Sequence, residues 1–222
     1  MNPRKTSRRL YSSMLMVIAG FVLYILYANF IHDPQAGEFL SHKESPKRTV
    51  PVSAWLHVMH VHVIFACIAM VGGAMNFSNT VLQKYRRFHR ANGYVYVASV
   101  MVVVLTSGYM APYATGGKLT SVPFNLLNII WPAITVIAIL KIKKKQIHQH
   151  RQWMARSYAF CFTNLFIHLF AAVFHSGFGL AYKTSYVIGV YSAILSLFLL
   201  AEIVVRTVFR EPPPQLGDVT AR

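Results

Sequence analysis

The sequence predicts an all-α fold: a polytopic membrane bundle of six transmembrane helices with both termini on the cytoplasmic side. Three observations predict it. Hydrophobic residues make up 55% of the 222 positions and charged residues only 13%, which is not the balance of a soluble chain. The apolar residues fall in blocks near the ~20 residues that cross a hydrocarbon core of roughly 30 Å. The basic residues gather between those blocks, on alternate sides. A formal charge of +16 would suggest a nucleic-acid partner in a soluble protein. Here its placement makes it a topology signal and excludes that reading.

In chain order the spans are 10–31, 53–80, 94–113, 122–141, 154–177 and 185–208, each read from the continuity of its apolar run. The first is too long for a signal-peptide core and has no small-residue cleavage pattern after it, so it reads as a retained span. Between spans one and two, His32 to Pro51 is polar and broken by Pro34, Pro46 and Pro51. Spans three and four meet at Gly116-Gly117, a tight-turn signal. Pro123 and Pro132 predict a kink in span four, whose freed carbonyls need partners. Residues 1–210 then form one six-helix domain, and 211–222, opening Glu211-Pro212-Pro213-Pro214, reads as a disordered cytoplasmic tail. Assigning Lys and Arg to alternate sides gives 17 on the side of the termini and 5 on the other, which sets the first side in the cytoplasm.

Polar residues inside the spans are few. Cys67 and Cys161 lie in apolar blocks and have neither metal-site nor disulfide spacing. Glu202 stands four residues before Arg206, the spacing of an intrahelical ion pair. Asn125, Asn128 and Asn164 are expected to bond between helices, and Trp55 and Trp153 to anchor span ends at the interface. A short internal echo joins two hairpins: the chain re-enters the membrane with His89-Arg90 before span three and with His150-Arg151 before span five.

Ten histidines require an account, because ionisable groups at depth are costly and mark sites, pathways or pairings. His32, His42 and His148 fall in polar segments and are expected to be solvated. In span two, His57 and His60 lie about 60° apart while His62 points about 200° from His60. His60 shares a face with Cys67 and lies closest to the helix body, so it ranks first as an inward-facing group and His57 second. In span five, on an unbroken helix, His150, His168 and His175 project from one stripe, with His150 and His168 about 27 Å apart along the axis.

Two pairs follow: His89 with His150 on the inside, and His60 with His168 or His175 on the outside. Two histidines from facing helices at one depth are what a six-coordinate haem b requires. The expected iron ligands are His60, His89, His150 and His168, with room for two haems, and Arg90, Arg151 and Arg156 would pair with propionates. A histidine at a helix end also serves as a plain interfacial group that meets a loop carbonyl or a lipid phosphate, and His89 and His150 occupy such positions.

The two motifs, His-Arg-x-x-Gly-Tyr-x-Tyr at 89–96 and His-Arg-x-Trp-Met-x-Arg-Ser-Tyr-Ala at 150–159, resemble the signatures of a bacterial membrane family known as domain of unknown function 2306. The outer histidine of span two followed by Gly72-Gly73, and Trp131 in span four, fit the same pattern. The resemblance covers spans two to five and implies a bacterial cytoplasmic (inner) membrane. Helix count and histidine depths are also similar to the cytochrome b561 class, an architectural likeness that implies electron transfer between a donor such as quinol and an acceptor through bis-histidine haems. Alternatives from other classes stand beside this membrane oxidoreductase: a small-solute or proton transporter, an accessory or assembly subunit of a respiratory complex, a haem-modifying enzyme, and a homo-oligomer of any of these.

Overall fold

The computed structural model describes residues 3–41 and 51–209. His42, the basic cluster Lys43, Lys47 and Arg48, and the tail expected at 211–222 lie outside them. The described chain is helical, with no strand among the described residues. Span one is α1 (Pro3–Tyr27) continued by a π-helical turn, Ala28–His32, and a short α2 (Gly37–Ser41) follows. Span two is α3 (Val52–Asn76), and a short α4 (Asn79–Lys84) links it to span three, α5 (Arg86–Met110). Span four is α6 (Lys118–Lys143). Span five is composite: α7 (Ile147–Ala159), a 3-10 turn at Phe160–Phe162, α8 (Thr163–Ala172) and a π turn at Val173–Gly177. Span six is α9 (Tyr182–Val208).

All six are long and apolar enough to cross a membrane. Their outward faces are those of a lipid-solvated bundle: Leu105 is 74% exposed, Ile129 69% and Leu199 66%. The helices outrun the apolar runs where the chain re-enters. α5 begins at Arg86, not 94, and α7 at Ile147, not 154, because polar residues continue the helical hydrogen bonding that hydropathy alone does not register. Both His-Arg motifs therefore stand on the first turns of spans, not in loops. Gly116 and Gly117 adopt φ of +91° and +64°, the left-handed turn their sequence predicts.

Span one is peripheral. Its membrane window is 11% buried, against 28–33% for the others, and α1 rests on α3, where the Tyr11 hydroxyl donates to the Ala74 carbonyl at 2.9 Å. Spans two to five pack in sequence, α3 on α5, α5 on α6 and α6 on α7, while α8 turns to α9. Proline chemistry helps seat α9. Pro123 leaves the Leu119 carbonyl without its helical donor, and the Tyr191 hydroxyl supplies one at 2.9 Å.

Lys84–Arg90 and Lys141–Arg151 mark the basic end of the bundle, opposite its far end. The half next to the basic end is locked by polar contacts between spans. Gly73 lies against the Tyr158 ring, whose hydroxyl donates to the Met70 carbonyl at 2.8 Å. Asn92 donates to the Gly72 carbonyl at 2.7 Å and to Asn76 Oδ1 at 2.8 Å. At the centre, Ser157 Oγ meets Tyr96 at 2.8 Å, Thr135 at 2.7 Å and the Trp131 indole N–H at 3.2 Å.

Donor arithmetic orients that cluster. Trp131 can only donate, and Thr135 commits its hydrogen to the Trp131 carbonyl at 2.8 Å. Ser157 then gives its one hydrogen to Thr135 and accepts from Trp131 and Tyr96, which fills both lone pairs. Every member is satisfied, as a buried network must be to stabilise a membrane interior.

Several sequence expectations change here. Trp55 is 2% exposed and packs with Met59 in a buried cluster, so it is core, not an interfacial anchor. Asn125 bonds Ser121 within its own helix, at 3.5 Å. Asn164 is exposed, and Asn128 Nδ2 is buried without a partner. The asparagine that links helices is Asn92.

Candidate functional site

At the basic end, α5 carries His89 and α7 carries His150, on spans that both flank α6. His150 Nδ1 donates to the Ala138 carbonyl at 2.8 Å. A carbonyl only accepts, so in the neutral ring the lone pair resides on Nε2, the arrangement by which metal-binding imidazoles are oriented. His89 is half-buried and lies within electrostatic range of His150. Its Nδ1 is buried and has no hydrogen-bond partner. An unpartnered ring nitrogen beside a second imidazole of fixed tautomer is a donor set suited to a metal centre.

The arginines divide. Arg156 is committed: its Nε and Nη2 donate to Glu202 Oε2 at 3.2 and 2.9 Å, and its guanidinium lies 5.0 Å over the Trp153 ring. Glu202 also accepts from Arg206 Nε at 2.8 Å, the intrahelical pair its spacing predicts. The chain thus supplies Arg156 with its own carboxylate, in place of the propionate expected from sequence. Arg151 lies 5.2 Å over the Phe209 ring, and Arg90 is exposed. Both remain available to an anionic group at this end.

Toward the far end the histidines scatter. His57 is exposed and bonds the Ser53 carbonyl of its own helix at 2.7 Å. His60 faces span one, with its ring centroid 4.8 Å from that of Phe30, and its Nε2 is buried without a partner. His175 sits in the π turn, bonded to the Leu180 carbonyl at 2.7 Å and edge-on to Tyr182 at 5.8 Å. His168 is exposed on α8.

The stripe expected for His150, His168 and His175 is broken. Three residues of 3-10 helix at 160–162 advance the chain about 60° further than three α residues would, and the π turn shifts the phase again. The span-two histidine that does reach into the bundle is His62, whose Nδ1 lies 2.9 Å from Thr106 Oγ1 on α5. The sequence contained a signal for it. His62 is eleven residues from Gly73, which puts the two within about 20° on one face, whereas His60 falls about 140° away.

Among the described residues no group of three or more His, Cys, Asp or Glu is arranged to hold a metal ion. A six-coordinate haem asks for two protein ligands, and the two imidazoles at the basic end fit that demand.

The motif residues outside the histidines prove to be the lock of the basic half: Asn92 and Tyr96 from the first motif, and Arg156, Ser157 and Tyr158 from the second. No curated protein and no solved structure matches the chain. The profile of a family described as Predicted membrane protein (DUF2306) matches residues 59–205, from the first third of span two almost to the end of span six and leaving the peripheral span one outside. With its two motifs forming one inter-span lock inside that stretch, this multi-pass membrane protein belongs to the DUF2306 family.

Proposed function

We propose that the protein is a membrane-embedded b-type haem protein of a bacterial cytoplasmic membrane, with both termini inside, that carries electrons across or within the bilayer from quinol or another reductant. The observation that carries the reading is the basic-end pair: His89 Nδ1 is buried with no partner, beside a His150 whose tautomer is fixed by Ala138. His89 and His150 would hold the iron from α5 and α7, and Arg90 and Arg151 would meet the propionates. A haem b bound there supplies a one-electron iron couple, tuned by its axial ligands and by burial.

The chain's own contribution is rigidity and orientation. Ala138 holds the His150 ring at one angle, so little reorganisation accompanies a change of charge. Arg156, neutralised by Glu202, fixes span five against span six next to the pair. Buried apolar residues of the bundle exclude water.

The test is an absorption spectrum of full-length protein purified from cells supplied with haem precursor. Reducible Soret and α bands are expected, and His150→Ala should remove the bands of the basic-end centre. A colourless, haem-free preparation overturns the proposal. A proton-linked flux in liposomes would then favour the transporter, and a stoichiometric companion retained in mild detergent would favour the accessory subunit.

A further inference from the structure

Spans two and five touch where Tyr158 bonds Met70 and lies against Gly73. From that level toward the far end, α8 packs on α9. Each of the two spans carries one histidine there. On span two, His62 lies eight residues beyond Met70, about 12 Å along the axis, and within about 20° of the Gly73 direction. On span five, His168 lies ten residues beyond Tyr158. Seven α and three 3-10 residues place it about 16 Å along and within about 20° of the Tyr158 direction. The two imidazoles therefore share a depth to within one helical turn and face the same interface.

His62 is half-buried and His168 is exposed.

The hydrogen bonds of His62 settle its tautomer. Thr106 spends its own hydrogen on the Val102 and Val103 carbonyls, at 2.7 and 3.0 Å. Its oxygen is then left to accept from His62 Nδ1–H at 2.9 Å, and the lone pair of His62 stands on Nε2. His168 has no hydrogen-bond partner among the described residues. Phe65 and Ala66, one turn from His62 on the same face, are partly buried against the core and make that face apolar.

The geometry points to a second metal-centre site between spans two and five, in which His62 Nε2 and the His168 imidazole coordinate from facing helices and Thr106 orients His62. The ligand chemistry is two-imidazole coordination of a d-block metal, supplied either as a haem or as a bare ion. His60, whose ring is tilted against Phe30 of span one, has no part in it.

Two arms test the site, both on full-length protein in nanodiscs. In the first, protein from haem-supplied cells is examined by electron paramagnetic resonance. His62→Ala and His168→Ala should each remove the same low-spin signal and halve the haem per chain, and His60→Ala should remove nothing. In the second, haem-free protein is titrated with Cu(II), and the nitrogen hyperfine pattern should lose one coupled nitrogen in either variant. Thr106→Val should weaken binding in the responsive arm about tenfold without abolishing it. His62→Gln replaces His62→Ala if the smaller side chain prevents folding.

Dependence on His62 in either arm supports the site. Indifference to His62 in both, or an equal loss in His60→Ala, overturns it. Haem bound but indifferent to His62 overturns this site and spares the basic-end pair. His62-dependent copper in a chain that takes no haem does the reverse.

Discussion

The two halves of the bundle use the same kinds of polar residue for opposite ends. Next to the basic end, Ser157, Tyr158, Asn92 and Arg156 each reach another span and are satisfied there. Toward the far end, His60 Nε2, Thr115 Oγ1 and Asn128 Nδ2 are buried without partners, while in the basic half the corresponding atom is His89 Nδ1 of the candidate site. One half is fastened between its spans, and the other leaves more of its polar atoms unspent. In a membrane, where association between helices draws little from the hydrophobic effect, a bundle held firmly at one half can leave the other half free for a ligand.

Substitutions can break this contrast or sharpen it. The largest effect is expected from Gly73→Val, because any Cβ there meets the Tyr158 ring. A loss of about 3 kcal/mol or more should appear as aggregation or a steeply lowered Tm in detergent. Ser157→Ala comes next. It strands the Trp131 N–H and the Tyr96 hydroxyl at once, each buried, for a cost of about 2 kcal/mol on the same measurement. Tyr191→Phe, which releases only the Leu119 carbonyl, should cost about 0.6 kcal/mol. Gly177→Ala lies in the far half with no atom near its added Cβ and should change stability by less than about 0.5 kcal/mol. A Gly177→Ala as damaging as Gly73→Val would erase the contrast.

The six spans were legible because length and apolar continuity are local properties of the chain. The basic-end histidines were legible too, since each opens a helix within a short motif. What the motifs do was not, because their partners are distant: Ser157 meets Tyr96 sixty-one residues away and Arg156 meets Glu202 forty-six away. No spacing rule reaches that far.

The far half misled for a different reason. Wheel arithmetic assumes one pitch, and span five changes pitch twice, at Phe160–Phe162 and at Val173–Gly177. In span two the wheel itself was sound but its reference was wrong. Measured from Cys67, His60 looked inward. Measured from Gly73, which faces span five, the inward residue is His62.

The cluster around Ser157 also bears on the passage of protons. Its hydrogens run one way, from Tyr96 to Ser157 to Thr135, and stop at the Trp131 backbone carbonyl. A carbonyl has no hydrogen to pass on, so the row is a dead end and not a proton wire. Buried in the middle of the bundle, it ties spans three, four and five together without offering protons a path along its own hydrogen bonds.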